Sequence, residues 1–152
     1  PSLSEAANTL LDPLRAVAAK AAAAAPPLLA SGSGLSVDSR VSARDLIELL
    51  RDSYRESALF PAFLGSLPVP RYSRNSQLDF HDPNWQTRMA AKTGWLSEPV
   101  GVRALAGYLR LQDGAWAAFA VILNGTKSSP HLPRGRTLGA IRSDLKRFLE
   151  AH

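Results

Sequence analysis

Met89-Ala90-Ala91-Lys92-Thr93-Gly94-Trp95-Leu96 opens the part of the chain that decides the fold. Thr87 to Thr93 has the character of a strand, and two more strand-forming runs follow, Val102 to Leu111 and Trp116 to Leu123. Gln112-Asp113-Gly114-Ala115 separates that pair. Asp-Gly between two apolar runs is a strong short-range hairpin signal. The pattern predicts three adjacent antiparallel strands near 87–94, 102–111 and 116–123. Residues 117–123 are wholly apolar, which predicts a strand buried on both faces, and Asn124-Gly125 ends it.

Helices flank this core on both sides in sequence. Toward the C-terminus, Leu138, Ile141, Leu145, Phe148 and Leu149 recur at helical spacing over about Thr137 to Ala151, with Arg142, Lys146 and Arg147 between them. That is an amphipathic helix with its apolar stripe turned to a sheet. Toward the N-terminus, Ser42-Ala43-Arg44-Asp45 caps a helix carrying Leu46, Ile47, Leu49, Leu50 and Tyr54, expected to end near Ser57, and Pro61 to Leu64 forms one further turn. Residues 1–27 read as helix. Ser2 to Glu5 form a capping box, Asp12-Pro13 interrupt and restart the helix, and Pro26-Pro27 end it. The expected class is α/β, an antiparallel sheet flanked by helices. The expected layout is one domain: a helical segment over 1–27, a loop-helix-loop over 28–86, and the sheet with its closing helix over 87–152.

Composition narrows the chemistry. A chain of 152 residues suits a single core. It has no cysteine, so thiol catalysis, disulfides and cysteine-based zinc sites are excluded. Asp79, His81 and Asp82 cluster in a polar loop, but without a further His or Cys nearby they read as solvated residues, and no metal or cofactor is expected. The net charge of +5 raises the question of an acidic partner. Arg134, Arg136, Arg142, Lys146 and Arg147 are the cations a nucleic-acid binder would use. Because no run of five like charges occurs, nucleic acid is not the expected partner. No apolar run is long enough to span a membrane, and no basic-then-apolar leader is visible at the start.

Lys92-Thr93-Gly94 reads K-T-G, a signature of serine enzymes that act on penicillin or on peptidoglycan stem peptides. In such a site Lys92 supplies charge and Thr93 a hydroxyl to a substrate carboxylate. Gly94 lets a substrate backbone approach, and the backbone N–H of Trp95 points at a developing oxyanion. Three further stretches stand in order around it. They are Ser31-Gly32-Ser33-Gly34-Leu35-Ser36 with Arg40-Val41-Ser42, then Gly65-Ser66-Leu67-Pro68-Val69, then Leu105-Ala106-Gly107-Tyr108 with the apolar strand ending at Asn124-Gly125. Together these stretches, over roughly residues 28 to 150, resemble the C-terminal part of the catalytic domain of the penicillin-binding D-alanyl-D-alanine carboxypeptidase/endopeptidase family of bacterial cell walls, class C type.

The resemblance implies a β-lactamase/transpeptidase-like fold and a periplasmic or cell-envelope location. It implies a peptidoglycan stem peptide or a β-lactam as ligand, an acyl-enzyme on a serine, and no cofactor. It makes Lys92, Thr93, Gly94 and Trp95 substrate-binding residues and places Ser33 and Ser36 on the rim. Three departures stand out. The nucleophile motif S-x-x-K is expected upstream of this chain, so no catalytic nucleophile is assigned here, and the chain reads as a partial domain whose partner is the N-terminal part of the same protein. Ser143-Asp144-Leu145-Lys146 matches S-x-x-K in letters only, because Leu145 belongs to the buried stripe. Ser73-Arg74-Asn75 fits S-x-N but follows the Gly-Ser stretch instead of preceding it. Trp95 stands where the family usually has a small hydroxyl residue. The alternative functions are a non-catalytic cell-wall or protein-binding module of the same fold and, less favoured, the basic nucleic-acid binder.

Overall fold

One antiparallel sheet of three strands, in the order β1-β2-β3, carries the structure. The strands are β1 (Met89–Leu96), β2 (Val102–Arg110) and β3 (Trp116–Asn124). The computed structural model describes residues 28–30, 34–72 and 83–152, with backbone only at Asn84. The expected N-terminal helix, Ser33, Ser73-Arg74-Asn75 and the Asp79, His81, Asp82 cluster lie outside the described residues. Met89 faces Leu109 and Leu96 faces Val102 across the first ladder. Val102 faces Asn124 and Arg110 faces Trp116 across the second. The Asp-Gly turn is closed by Leu111 N–H donating to the Ala115 carbonyl (2.8 Å) and Ala115 N–H donating to Asp113 Oδ1 (2.8 Å). Gly114 sits there at φ +86°, a conformation that a side chain disfavours.

The first strand differs from its expected span. A short helix, α3 (Pro83–Gln86), and a turn precede it, so pairing starts at Met89 and not at Thr87. The strand then continues through Gly94 to Leu96, which places Trp95 inside the ladder, opposite Arg103.

Side chains alternate between the faces of a strand, and the two faces are covered differently. Met89, Ala91, Leu105, Leu109 and Phe119 form one core with Trp85 and with Ile141, Leu145 and Leu149 of α4 (Arg134–Ala151). Each such aliphatic side chain, fully buried, contributes about 1.5–3 kcal/mol. Leu138 is half-buried. Phe148, expected in the stripe, is 38% exposed and stacks on the His152 ring at 4.5 Å. In the last turn the ring is covered by the helix's own end instead of by the sheet.

The opposite face meets α1 (Ala43–Arg55) and α2 (Phe60–Ser66). Ser42 caps α1 through a capping box: its N–H and Oγ donate to Asp45 Oδ2 (2.8 and 2.7 Å), and Asp45 N–H donates to Ser42 Oγ (3.1 Å). Tyr108 is buried and its hydroxyl donates to the Leu50 carbonyl (2.6 Å). The Tyr108 ring meets Phe60, Phe63 and Trp116 edge-on. Burial pushes the Tyr108 hydroxyl up to about 12, because desolvation disfavours the phenolate.

The expectation that β3 is buried on both faces is corrected. Of its nine residues only Phe119 is buried, and the others are half-buried apart from the exposed Asn124. An edge strand has a neighbour on one side only. Among the described residues no strand pairs with the outer edge of β3.

Candidate functional site

Hydrogen-bond parity decides what the outer edge of β1 presents. Arg110 N–H donates to the Arg88 carbonyl (2.8 Å). In an antiparallel ladder, alternate residues turn their N–H and C=O to opposite sides. Ala90, Lys92, Gly94 and Leu96 therefore turn theirs to β2, whereas Ala91, Thr93 and Trp95 turn theirs outward. Ala91 N–H duly donates outward to the Pro68 carbonyl (2.9 Å). The stretch Gly65 to Val69 thus closes the edge at Ala91, and the Thr93 carbonyl and Trp95 N–H lie beyond that closure.

The Lys92 and Thr93 side chains leave β1 on opposite faces. The Lys92 side chain folds back to the edge, where Nζ donates to the outward Thr93 backbone carbonyl (2.8 Å). Lys92 is exposed and Thr93 half-buried. Gly94 is exposed, and a Cβ built on it would meet Ala104 Cβ at 3.4 Å, an ordinary contact. Its lack of a side chain is not required by the packing of the sheet.

Beside this edge, α1 and α2 stop short of covering the sheet. A cleft of about 1160 Å³ lies between the loop and N-terminus of α1 on one side and the Gly94–Leu96, Val102–Ala104 and Ile122–Asn124 end of the sheet on the other. Ser36 lines it, with its Oγ accepting from Asp38 N–H (3.2 Å). So does Asp45, which is buried and whose Oδ1 has no hydrogen-bond partner among the described residues. Leu28 and Arg40 bond each other's backbones (2.8 and 2.7 Å) and pin the base of the loop. Gly94, Trp95 and Ser36 therefore share one cleft, while Lys92 stands at the edge of β1 outside its lining.

The residue that sequence reading passed over is Arg103. It is 8% exposed, its guanidinium lies over the Trp95 ring, and Nη2 donates to the Leu132 carbonyl (3.2 Å). A signal was present. Arg103 falls on the same alternate positions of β2 as Leu105 and Leu109, which face the core.

Ser143 and Lys146 are exposed on α4, and Leu145 between them is buried. That helix covers the face opposite the Lys92 side chain. Lys146 lies 3.7 Å from Glu150. Arg134, Arg136, Arg142 and Arg147 are exposed on α4. Among the described residues no group of three or more His, Cys, Asp or Glu is placed to hold a metal. Nor is any helix there long and apolar enough to cross a membrane.

A family model described as D-Ala-D-Ala carboxypeptidase 3 (S13) family matches residues 15–142. No curated protein matches the chain.

Proposed function

Because this chain belongs to the D-Ala-D-Ala carboxypeptidase 3 (S13) family, we propose that it forms the substrate-carboxylate side of a serine-type D-Ala-D-Ala carboxypeptidase acting on peptidoglycan stem peptides in the bacterial cell envelope. The single observation that carries the reading is the outer edge of β1. There the Lys92 ammonium, the Thr93 carbonyl and the outward Trp95 N–H line up beyond the closure at Pro68.

A peptide laid along that edge has its terminal carboxylate held by the Lys92 charge and the Thr93 hydroxyl. Gly94 leaves room for its backbone. Trp95 N–H donates to the scissile carbonyl oxygen as that oxygen gains charge, a contact of a kind worth about 10²–10³ in kcat. Ser36 lines the rim across the cleft. The serine nucleophile and its lysine base come from outside these 152 residues, which form one partial domain of the longer enzyme. The serine Oγ bonds to the carbonyl carbon, the C–N bond breaks, and D-Ala leaves with the proton. Water then hydrolyses the acyl-enzyme and restores the serine.

Mass spectrometry after benzylpenicillin treatment tests this. The 152-residue chain is expected to remain unmodified. The polypeptide extended upstream of Pro1 in its reading frame is expected to be labelled by a fluorescent penicillin, and Lys92→Ala in it to lower the labelling rate by about tenfold or more. A stoichiometric adduct on a serine of the 152-residue chain, or no labelling of the extended one, overturns the reading.

A further inference from the structure

Arg103 occupies a position whose pattern calls for an aliphatic side chain. It falls on the same alternation of β2 as Leu105 and Leu109, which pack in the core. At 8% exposure its guanidinium has left most of its water, and desolvating a cation is unfavourable unless partners compensate. The side chain meets two other parts of the fold. Nη2 donates to the Leu132 carbonyl (3.2 Å) in the loop before α4, and the guanidinium face lies on the Trp95 ring of β1. A planar guanidinium serves both at once, because it donates in its plane and stacks on its face. Arg103 therefore ties the end of β1 to that loop.

The loop is a fixed anchor. Gly101 N–H donates to the Pro130 carbonyl (2.7 Å), and Gly125 N–H donates to the Gly101 carbonyl (2.7 Å). A Cβ on either glycine would press on the Pro130 carbonyl oxygen, so the loop reaches this seat only because both side chains are missing. The end of β1 has less support from its own backbone. Trp95 is the last residue but one of the ladder, which closes at Leu96 and Val102, and its N–H and C=O turn away from β2. The residue before it, Gly94, is of the type most permissive in backbone conformation. Strand ends of this kind open at low free energy. The indole's own hydrogen bond, from Nε1 to Ser97 Oγ (2.7 Å), stays within the same stretch of chain and links it to no other element.

We infer that Arg103 is a positioning residue for acylation: by clamping the Trp95 indole to the loop before α4, it holds the Trp95 peptide so that the outward N–H keeps one direction. The inference rests on the proposed function, which gives that N–H the developing oxyanion. A donor aimed in advance stabilises the new charge without reorganising at the moment of reaction. A donor that sways loses part of this effect, while binding of the substrate through Lys92 and Thr93 is untouched. Arg103 acts through Trp95 and does not touch the substrate.

Stopped-flow labelling of the upstream-extended protein by a fluorescent penicillin, resolved into a pre-covalent dissociation constant and an acylation rate constant, tests this. Arg103→Leu is expected to lower the acylation constant by about tenfold and to change the dissociation constant by less than about twofold. Arg103→Lys keeps a charge over the ring but not the planar group, and is expected to fall between. Trp95→Leu keeps the N–H but loses the clamp, so adding Arg103→Leu to it is expected to slow acylation no further. In the 152-residue chain, NMR relaxation is expected to show added motion of the Trp95 amide in Arg103→Leu and none at Ala91, whose N–H is held by the Pro68 carbonyl. A folded Arg103→Leu with an unchanged acylation constant, or with its loss entirely in the dissociation constant, overturns the inference; if Lys92→Ala still slows labelling, the proposed function stands. Fully multiplicative effects of Arg103→Leu and Trp95→Leu overturn it as well. Should Arg103→Leu fail to fold, Arg103→Lys is read in its place, and an unchanged acylation constant with unchanged Trp95 motion there overturns the inference. No labelling of the extended protein in any form removes the proposed function and this inference with it.

Discussion

The β1–β2 ladder is built differently at its two ends. At the Met89–Leu109 end every side chain is used for packing. Met89, Ala91, Tyr108 and Leu109 are at most 1% exposed, and Gly107 sits so close to β1 that a Cβ would run into the Ala90 carbonyl oxygen and lie 2.6 Å from Ala91 Cα. At the Gly94–Val102 end the same two strands open on a cleft. Gly94 has ordinary room beside it, and Nε and Nη1 of Arg103 have no hydrogen-bond partner among the described residues. One ladder thus holds a tightly filled end that maintains the sheet and an end that opens on a cleft. Two glycines thirteen positions apart differ in kind: packing demands the one at 107 and leaves room for a side chain at the one at 94.

Substitutions can break this contrast, and the largest effect is expected at the closed end. Gly107→Ala should lower stability by about 4 kcal/mol or more, or prevent folding, because the obstructing atoms are backbone and cannot rotate away. Chemical denaturation checks it, and a loss under about 1 kcal/mol would mean that the ladder is looser than described. Leu109→Ala should come next, at about 2–5 kcal/mol, by leaving a cavity under α4.

Tyr108→Phe should lose about 1–2 kcal/mol at neutral pH, since the Leu50 carbonyl loses its donor. The same residue predicts a pH effect. The folded hydroxyl holds its proton up to about 12 and the unfolded one only to about 10. Between those values the native state binds more protons than the unfolded state, so stability falls as pH rises. Urea midpoints measured from pH 9 to 12 should decline in the unaltered chain and less steeply in Tyr108→Phe. Equal slopes would argue that the hydroxyl is solvated.

The smallest stability effect is expected at the open end. Gly94→Ala should change stability by no more than about 0.5 kcal/mol in either direction, as the added methyl meets Ala104 at ordinary contact distance. It should nonetheless slow acylation of the upstream-extended protein by fluorescent penicillin. A stability loss above about 2 kcal/mol would place Gly94 with Gly107 and dissolve the contrast.

Much of the architecture was readable before any coordinates. The Asp-Gly turn, the strand-forming run 102–111 and the stripe of Ile141, Leu145 and Leu149 are local patterns, and each formed the element it implied. The misread features depend on distant partners. Residues 117–123 are apolar enough for a central strand, yet β3 lies at an edge. Phe148 has the spacing of a core residue and ends against His152. Whether an apolar side chain is covered is decided by what lies over it, which its neighbours in sequence do not encode.

The site divides along the same line. Lys92-Thr93-Gly94 could be singled out from the chain alone because a motif is a run of consecutive residues, and the strand expected there formed. The outward turn of Trp95 N–H depends on hydrogen-bond parity with β2, and parity is set by register over the whole ladder. Arg103 shows the limit most plainly. Its place on the core-facing alternation could be read from β2 alone. Only the arrival of the Leu132 carbonyl, the Trp95 ring and the N-terminus of α4 at one corner made it a buried cation with two donors unmet. Sequence by itself determined the three strand runs, the Asp-Gly turn between two of them and the core stripe of α4, because these follow from short-range spacing. Tertiary structure decided which polar groups are left unsatisfied, because desolvation and pairing depend on parts of the chain that meet only on folding.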